Sequence, residues 1–387
     1  MAGTAGKPAG IISSCAHAQS MQNRYDLVVV GAGPAGSTAA RYAAAEGLEV
    51  LLLDKKKTIG VPVCCGEFIP SGAVTAAAFP AAPGVEELFS IDRNLVERDI
   101  GEVVVRSPKG REYHFPLEGC TVRRDAFDQH LADLAAGAGA TVVTDTKFLS
   151  IDGHRVATTR GTVEAGVVIA ADGPVSTVCR SAGLERSSIL SPAVTCRVDG
   201  EFDDALRIFF GSRIAPGGYA WIFPKQGCAN AGLGVQRSGA PVRKLLEAFL
   251  AAQGYAAGAM QACFIPVSGP IEKTVQGNVL AVGDAAGHVV ASNGGGISIA
   301  MICGRIAGLA AARHLREGEP LAAYERDWRA AVGGELLAAA RMKQRADRFL
   351  VSDFLLDQMM KRLGVAGIER LMVYNGAGRP GQAHLEL

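Results

Sequence analysis

The chain has almost no excess charge of either sign. Its 39 basic residues face 38 acidic ones, a formal net charge of +1, so no global field favours nucleic acid or draws the molecule to an anionic membrane. It also lacks a long apolar run. Every hydrophobic stretch is broken by charge or glycine before the ~18 uninterrupted apolar residues of a spanning helix, so any membrane contact is expected to be peripheral. The nine cysteines are odd in number and irregularly spaced, which excludes the disulfide framework of a small secreted domain and fits a reducing, cytoplasmic setting. Cys64 and Cys65 are adjacent, so they match neither a CxxC redox pair nor a zinc site, and Cys64 is expected to be a buried, inert thiol. No internal repeat is present. Residues 1–24 are rich in Ala, Gly and Ser, without the basic and apolar regions of a signal peptide. They are expected to be a disordered lead-in, with Met21 as a possible start.

What remains is enough for a large core: 387 residues, 49% apolar and 20% charged, which predicts two interleaved domains. The run YDLVVV (25–30) predicts a strand. It is followed by Gly31-Ala32-Gly33-Pro34-Ala35-Gly36, an Ala-rich helix to Glu46, and a second strand ending at Asp54. This is one βαβ unit. The glycines permit a tight turn and close approach to a pyrophosphate, the helix start offers free N–H groups to the anion, and Asp54 can accept from ribose hydroxyls. A GxGxxG alone is a weak signal; the strand, helix and acidic residue about 20 positions on make it specific. Lys55, Lys56 and Lys57 read as a solvated turn, with a phosphate role as the alternative.

Further along, Asp125 precedes a helix carrying Phe127, Leu131 and Leu134, which returns as the strand TVVTD. GVVIAADG (166–173) and NVLAVGDAAG (278–287) run from apolar residues into Gly/Asp turns, as strands of a buried parallel sheet do. Residues 190–270 read as short antiparallel strands, including LRIFFG and GYAWIFP. From about 320 the chain is predicted helical.

Taken together, Arg124-Asp-Ala-Phe127-Asp128, Asp172-Gly173, and Gly283-Asp284 before Asn293-Gly294-Gly295-Gly296-Ile297 resemble the p-hydroxybenzoate-hydroxylase-type flavoproteins. Within that superfamily, Cys64-Cys65-Gly66-Glu67 and Tyr219-Ala-Trp221-Ile-Phe223-Pro224 look like the geranylgeranyl reductase family. The resemblance implies an α/β fold with a split Rossmann-like FAD-binding domain, related to glutathione reductase, an antiparallel-sheet substrate domain and a helical C-terminal region. The expected boundaries are 25–90, 118–185 and 270–320 for FAD, 91–117 and 186–269 for substrate, and 321–387 for the helical part.

It further implies FAD contacts at Gly31, Gly33, Ala35, Gly36, Asp54, Cys65, Gly66, Arg124, Phe148, Asp172, Gly173, Asp284, Gly295, Gly296 and Ile297. Cys65 would lie beside the ring, and the helix start after Gly296 would stabilise anionic reduced flavin. Ala291-Ser292-Asn293 departs from the Pro-Thr often found there. The implied reaction is saturation of geranylgeranyl C=C bonds, in archaeal members those of membrane ether lipids. An isolated alkene offers no oxyanion to stabilise, so a proton donor must act in concert with hydride delivery. Cys65, Glu67 and His288 are the candidates, each also readable as structural.

Tyr219, Trp221 and Phe223 alternate along one strand and share a face, suited to a substrate pocket or to ordinary core. The apolar positions Phe349, Leu350, Phe354, Leu355, Met359, Leu363, Ile368, Leu371 and Met372 read mainly as a packing face, with a lipid tunnel or in-plane membrane face as the alternative. No second complete GxGxxG is present, so the electron donor is open between ferredoxin, a deazaflavin and transient NAD(P)H. Two rivals share the ancestry: a flavin monooxygenase or halogenase, and a non-catalytic prenyl-binding escort.

Overall fold

The β-branched run after Asn23 forms β1 (Arg24–Val30), whose inner residues are almost wholly buried, as expected of a strand covered on both faces. The computed structural model describes residues 21–373, so most of the 1–24 lead-in lies outside the described residues. Next come α1 (Pro34–Ala45), β2 (Val50–Leu53), β3 (Phe68–Pro70), α2 (Gly72–Ala78), α3 (Val85–Leu88), β4 (Val96–Arg106), β5 (Glu112–Val122), α4 (Arg124–Gly137) and β6 (Thr141–Val143). The hairpin β7 (Phe148–Asp152) and β8 (Arg155–Thr158) leads into β9 (Gly161–Ala170) and α5 (Thr177–Ala182). A block of β10 (Leu190–Asp199), β11 (Ala205–Phe209), β12 (Tyr219–Lys225), β13 (Cys228–Gly234), α6 (Val242–Ala252) and β14 (Gln261–Pro266) follows. The chain then returns through β15 (Val275–Gln276) and β16 (Val279–Ala281) to α7 (Ile297–Glu317), α8 (Ala323–Trp328), α9 (Gly334–Ala346) and α10 (Asp353–Met372).

Two eight-stranded sheets result. The first runs β15-β16-β9-β1-β2-β6, with β7 and β8 joined at β9, and all its pairs from β16 to β6 are parallel. The strand order reverses between β1 and β9, so their carboxyl ends flank the crevice where open α/β sheets take ligands. Behind it, α1 packs on α7 closely enough that a Cβ at Gly304 or Gly308 would lie 2.4 or 2.3 Å from a carbonyl oxygen of α1.

The second sheet runs β14-β10-β13-β12-β11-β4-β5-β3. It is antiparallel except for β11 against β4, which are parallel. The sheet also takes in more of the chain than expected: β3, inside the predicted 25–90 FAD segment, and the 118–122 end of β5 both belong to it. A short strand on an edge has no signature that says which sheet it joins. The described part of the C-terminal region, to residue 373, is helical, with a sharp bend inside α10 at Gly364, where φ is 61°. Among the described residues no helix is long and apolar enough to cross a membrane.

Candidate active site

Three turns meet at the carboxyl edge of the parallel sheet. In the loop after β1, Gly31 (φ 104°) and Gly36 are forced by packing: a Cβ would fall 2.3 Å from the Ala171 carbonyl oxygen at Gly31 and 1.8 Å from the Gly31 carbonyl oxygen at Gly36. Gly33 differs. It is the N-cap of α1, bears no capping side chain, and a Cβ there meets nothing within 4 Å. Open space therefore lies where a pyrophosphate would approach an uncapped helix N-terminus. Asp54 closes on this loop, its Oδ2 accepting from the Ala32 N–H and its Oδ1 from the Lys56 N–H, both at 2.8 Å. The Arg124 guanidinium pairs with Asp128 at 2.7 Å, both side chains almost wholly withdrawn from solvent.

Asp284 follows β16 in the turn Gly283–Ala286, where burial, opposed by Arg124, pushes its carboxyl up to about 6. Just beyond it, Gly296 begins α7 without a side-chain cap. The preceding turn is organised by Asn293: its Oδ1 accepts from the Gly295 N–H at 2.7 Å, its Nδ2 donates to the Met372 carbonyl at 2.7 Å, and its own carbonyl accepts from the Tyr219 hydroxyl. Two uncapped helix starts, an open glycine and two flanking carboxylates fit a dinucleotide cofactor.

The antiparallel sheet faces these turns with its aromatic strand. Tyr219, Trp221 and Phe223 stack along β12 at ring separations of 6.0 and 6.2 Å. They are held by close packing: a Cβ at Gly232 would lie 2.3 Å from the Trp221 ring, and one at Gly66 would lie 2.8 Å from Phe223. Tyr219 and Trp221 line an open apolar pocket, together with Ala291, Ser292 and Gly294 of the Asn293 turn. Phe223 does not line it and instead covers Gly66. The far wall is α10, contributing Leu356, Met359, Met360, Ile368, Leu371 and Met372. The C-terminal apolar run is thus both a packing face against β4 and β5 and the wall of an apolar cavity.

A buried polar hub that sequence reasoning missed joins the two halves. Asn230 Oδ1 accepts from Trp221 Nε1 at 2.8 Å and from the Thr195 hydroxyl at 3.0 Å; its Nδ2 donates to the Cys65 carbonyl at 2.9 Å and to Glu67 Oε2 at 2.8 Å. Glu67 Oε1 accepts from Lys225 Nζ at 3.1 Å and from the Arg124 N–H at 3.3 Å. No local signal marks Asn230, whose partners lie up to 165 residues away.

Several expectations are corrected here. Glu67, a candidate proton donor also readable as structural, has its carboxylate occupied by three donors and anchors its loop in a left-handed conformation (φ 63°). His288 is fully buried against Trp328, ring centres 4.6 Å apart, and burial holds it down at about 3, which favours its structural reading. Asp172, readable as a turn former with a structural or flavin role, takes up the Ser176 hydroxyl and the Thr177 and Val178 N–H groups at the start of α5. The Phe148 side chain packs into the core behind the parallel sheet. Cys64 is not an inert thiol but is disulfide-bonded to Cys263 of β14. Cys65 stays free, with burial pushing its thiol up against the opposing pull of Arg124.

Residues 26–185 match the family described as FAD dependent oxidoreductase, and residues 192–267 match the geranylgeranyl reductase catalytic domain. Over 371 residues the chain is 37% identical to digeranylgeranylglycerophospholipid reductase 2 of Methanothermobacter thermautotrophicus, covering 88% of this chain and 92% of that one. The chain belongs to the geranylgeranyl reductase family. The corresponding reductase of Methanocaldococcus jannaschii is 35% identical, with 88% and 90% covered. A geranylgeranyl bacteriochlorophyll reductase-like protein from Thermoplasma acidophilum superposes with a TM-score of 0.77 at 27% identity, covering 92% and 94%. A flavin-dependent brominase, 19% identical with a TM-score of 0.67 and 92% and 96% covered, shares the fold alone; the reductase relatives and the catalytic-domain match leave the halogenase, oxygenase and escort rivals not favoured. This geranylgeranyl reductase is an FAD-dependent oxidoreductase acting on geranylgeranyl C=C bonds.

Proposed function

We propose that this reductase saturates the geranylgeranyl chains of a membrane glycerophospholipid, drawing each chain into the cavity between β12 and α10. The observation that carries this reading is the long apolar cavity ending at the Asn293 turn, where the flavin-facing helix α7 begins. FAD, when bound and reduced, supplies hydride to one alkene carbon. Gly33, Asp54, Arg124, Asp284 and the starts of α1 and α7 would hold the cofactor, while Tyr219 and Trp221 would bind the chain in the cavity they line and exclude water. The Cys65 thiol, kept protonated by burial, with its Sγ accepting from the Glu67 N–H at 3.2 Å, would be the proton source for the second carbon, the thiolate so formed taking a proton back from water once product has left. Replacing Cys65 with Ala is expected to lower kcat about 100-fold, in the range of a lost general acid, while leaving the flavin spectrum unchanged.

Next to the cavity wall, Val351, Phe354, Leu355 and Val365 are exposed, Phe354 at 60%, with Lys109 over the Phe354 ring and Arg345, Arg348, Lys361 and Arg362 close by in sequence. This apolar tip with a basic surround supports peripheral contact with an anionic bilayer, from which the substrate would enter. Ferredoxin, a deazaflavin or NAD(P)H then supplies the electrons. The test is to reduce the purified flavoprotein anaerobically with dithionite, add digeranylgeranylglyceryl phosphate and follow lipid mass. Flavin reoxidation with mass gains in steps of two hydrogens supports the reading; a stably reduced flavin with unchanged lipid overturns it.

A further inference from the structure

The cavity is apolar on nearly every side, yet two ionisable side chains from the last turn of α9 and just beyond it form part of its lining. Lys343 is 8% exposed, and its Nζ donates to Asp347 Oδ2 at 2.7 Å. The ammonium has three N–H donors, and this bond uses one. Asp347 Oδ1 is buried and has no hydrogen-bond partner among the described residues. An i,i+4 pair of this kind is ordinary on a solvated helix face. Here both side chains are withdrawn from water, at 9% and 19% exposure, where the desolvation of two charges is costly and an unpaired buried acceptor costs more.

We propose that Lys343 and Asp347 form the subsite for the polar head of the prenyl substrate. The pair is net neutral and presents a spare donor beside a spare acceptor. The matching ligand carries oxygens that accept from Lys343 and a hydroxyl that donates to Asp347 Oδ1, as a protonated phosphate monoester or an alcohol does. Such a head, held at α9, leaves the hydrocarbon chain to run along α10 toward Trp221 and Gly294, which line the same cavity. The subsite would therefore set which double bond reaches the flavin turn. This inference rests on the reading of the cavity as the prenyl pocket.

The test uses the FAD-loaded full chain with Lys343→Met and Asp347→Leu made together, which removes both charges at similar volume, a change that buried ion pairs often tolerate. KM and kcat are measured for digeranylgeranylglyceryl phosphate, for geranylgeraniol and for a geranylgeranyl hydrocarbon without a head. The expected result is a KM at least tenfold higher for the phosphate, kcat within twofold, and no change for the headless chain. A tenfold loss for geranylgeraniol as well identifies the hydroxyl as the recognised group; its absence identifies the phosphate oxygens. Equal KM changes for headed and headless chains, or none for any, overturn the inference. Binding of the saturated lipid, read by quenching of Trp221 fluorescence, tests the subsite without turnover: a wild type that reduces nothing but binds tenfold tighter than the variant sinks the reductase reading and keeps the subsite. If the double variant fails to fold, Lys343→Gln carries the same measurements.

Discussion

Gly33 and Gly36 belong to the same loop and answer to different demands. A side chain at Gly36 runs into the Gly31 carbonyl oxygen, whereas Gly33 has ordinary extended φ and ψ and faces open space. Gly36→Ala is therefore expected to destabilise the apoprotein, visible as a lower melting temperature. Gly33→Val is expected to leave the apoprotein melt unchanged and to weaken FAD binding at least tenfold, read from flavin absorbance per protein. His288 makes a second residue-level prediction. Its ring is held near 3, below the ordinary value of about 6.5, so between those values the unfolded chain binds a proton that the native protein does not. The stability tied to the neutral ring is present above about pH 6.5 and is lost as pH falls toward 3, about 2 kcal/mol of it by pH 5. His288→Leu is expected to flatten that part of the pH dependence in urea unfolding measured from pH 7 to 5; an unchanged slope would remove the histidine from the account.

At the scale of elements, α10 does two jobs. Leu356, Met359 and Met360 turn toward β4 and β5 and the cavity, while Phe354 and Leu355 stay in solvent. Lys109 sits over the Phe354 ring at 5.2 Å, so a basic group accompanies the exposed apolar tip. Exchanging Phe354 and Leu355 for Glu is expected to abolish sedimentation with anionic vesicles. Reduction of detergent-dispersed substrate should be preserved within about twofold, because neither side chain lines the cavity. Loss of both activities together would show that the tip serves folding and not docking.

At the scale of the whole molecule, cofactor and substrate elements sit on different sheets, and the site exists only while those sheets are held together. The Asn230 hub ties the loop that leads from the first sheet into β3 to the second sheet by hydrogen bonds, and the Cys64–Cys263 bond ties the same loop to β14 covalently across 199 residues. Closing so long a loop restricts the unfolded chain, an effect of about 2–4 kcal/mol in typical cases. Cys263→Ser is expected to lower the unfolding free energy by that amount under oxidising conditions, and a phosphine reductant should bring the wild type down to the variant. Equal stability of the two proteins without reductant would show that the bond carries no load.

The sequence by itself determined the nucleotide half. Its signals are contiguous: a strand, a glycine turn, a helix start and an acidic residue follow from local backbone geometry within one βαβ unit, and Gly283-Asp284 and the Asn293 glycines are legible for the same reason. The alternation of Tyr219, Trp221 and Phe223 likewise reveals a shared face, because a strand has a period of two. Only the tertiary structure decided which of those rings line the cavity, since Phe223 is turned to Gly66 by the loop packed on it. It also decided that Glu67 is an anchor, that His288 is core, that Asp172 serves α5, and that Cys64 has a distant partner. Lys343 and Asp347 are withdrawn from water only because α9 and α10 close over the cavity that they line. Periodicity reports which side of an element is apolar; what that side meets depends on contacts between residues hundreds of positions apart, and those contacts leave no local trace.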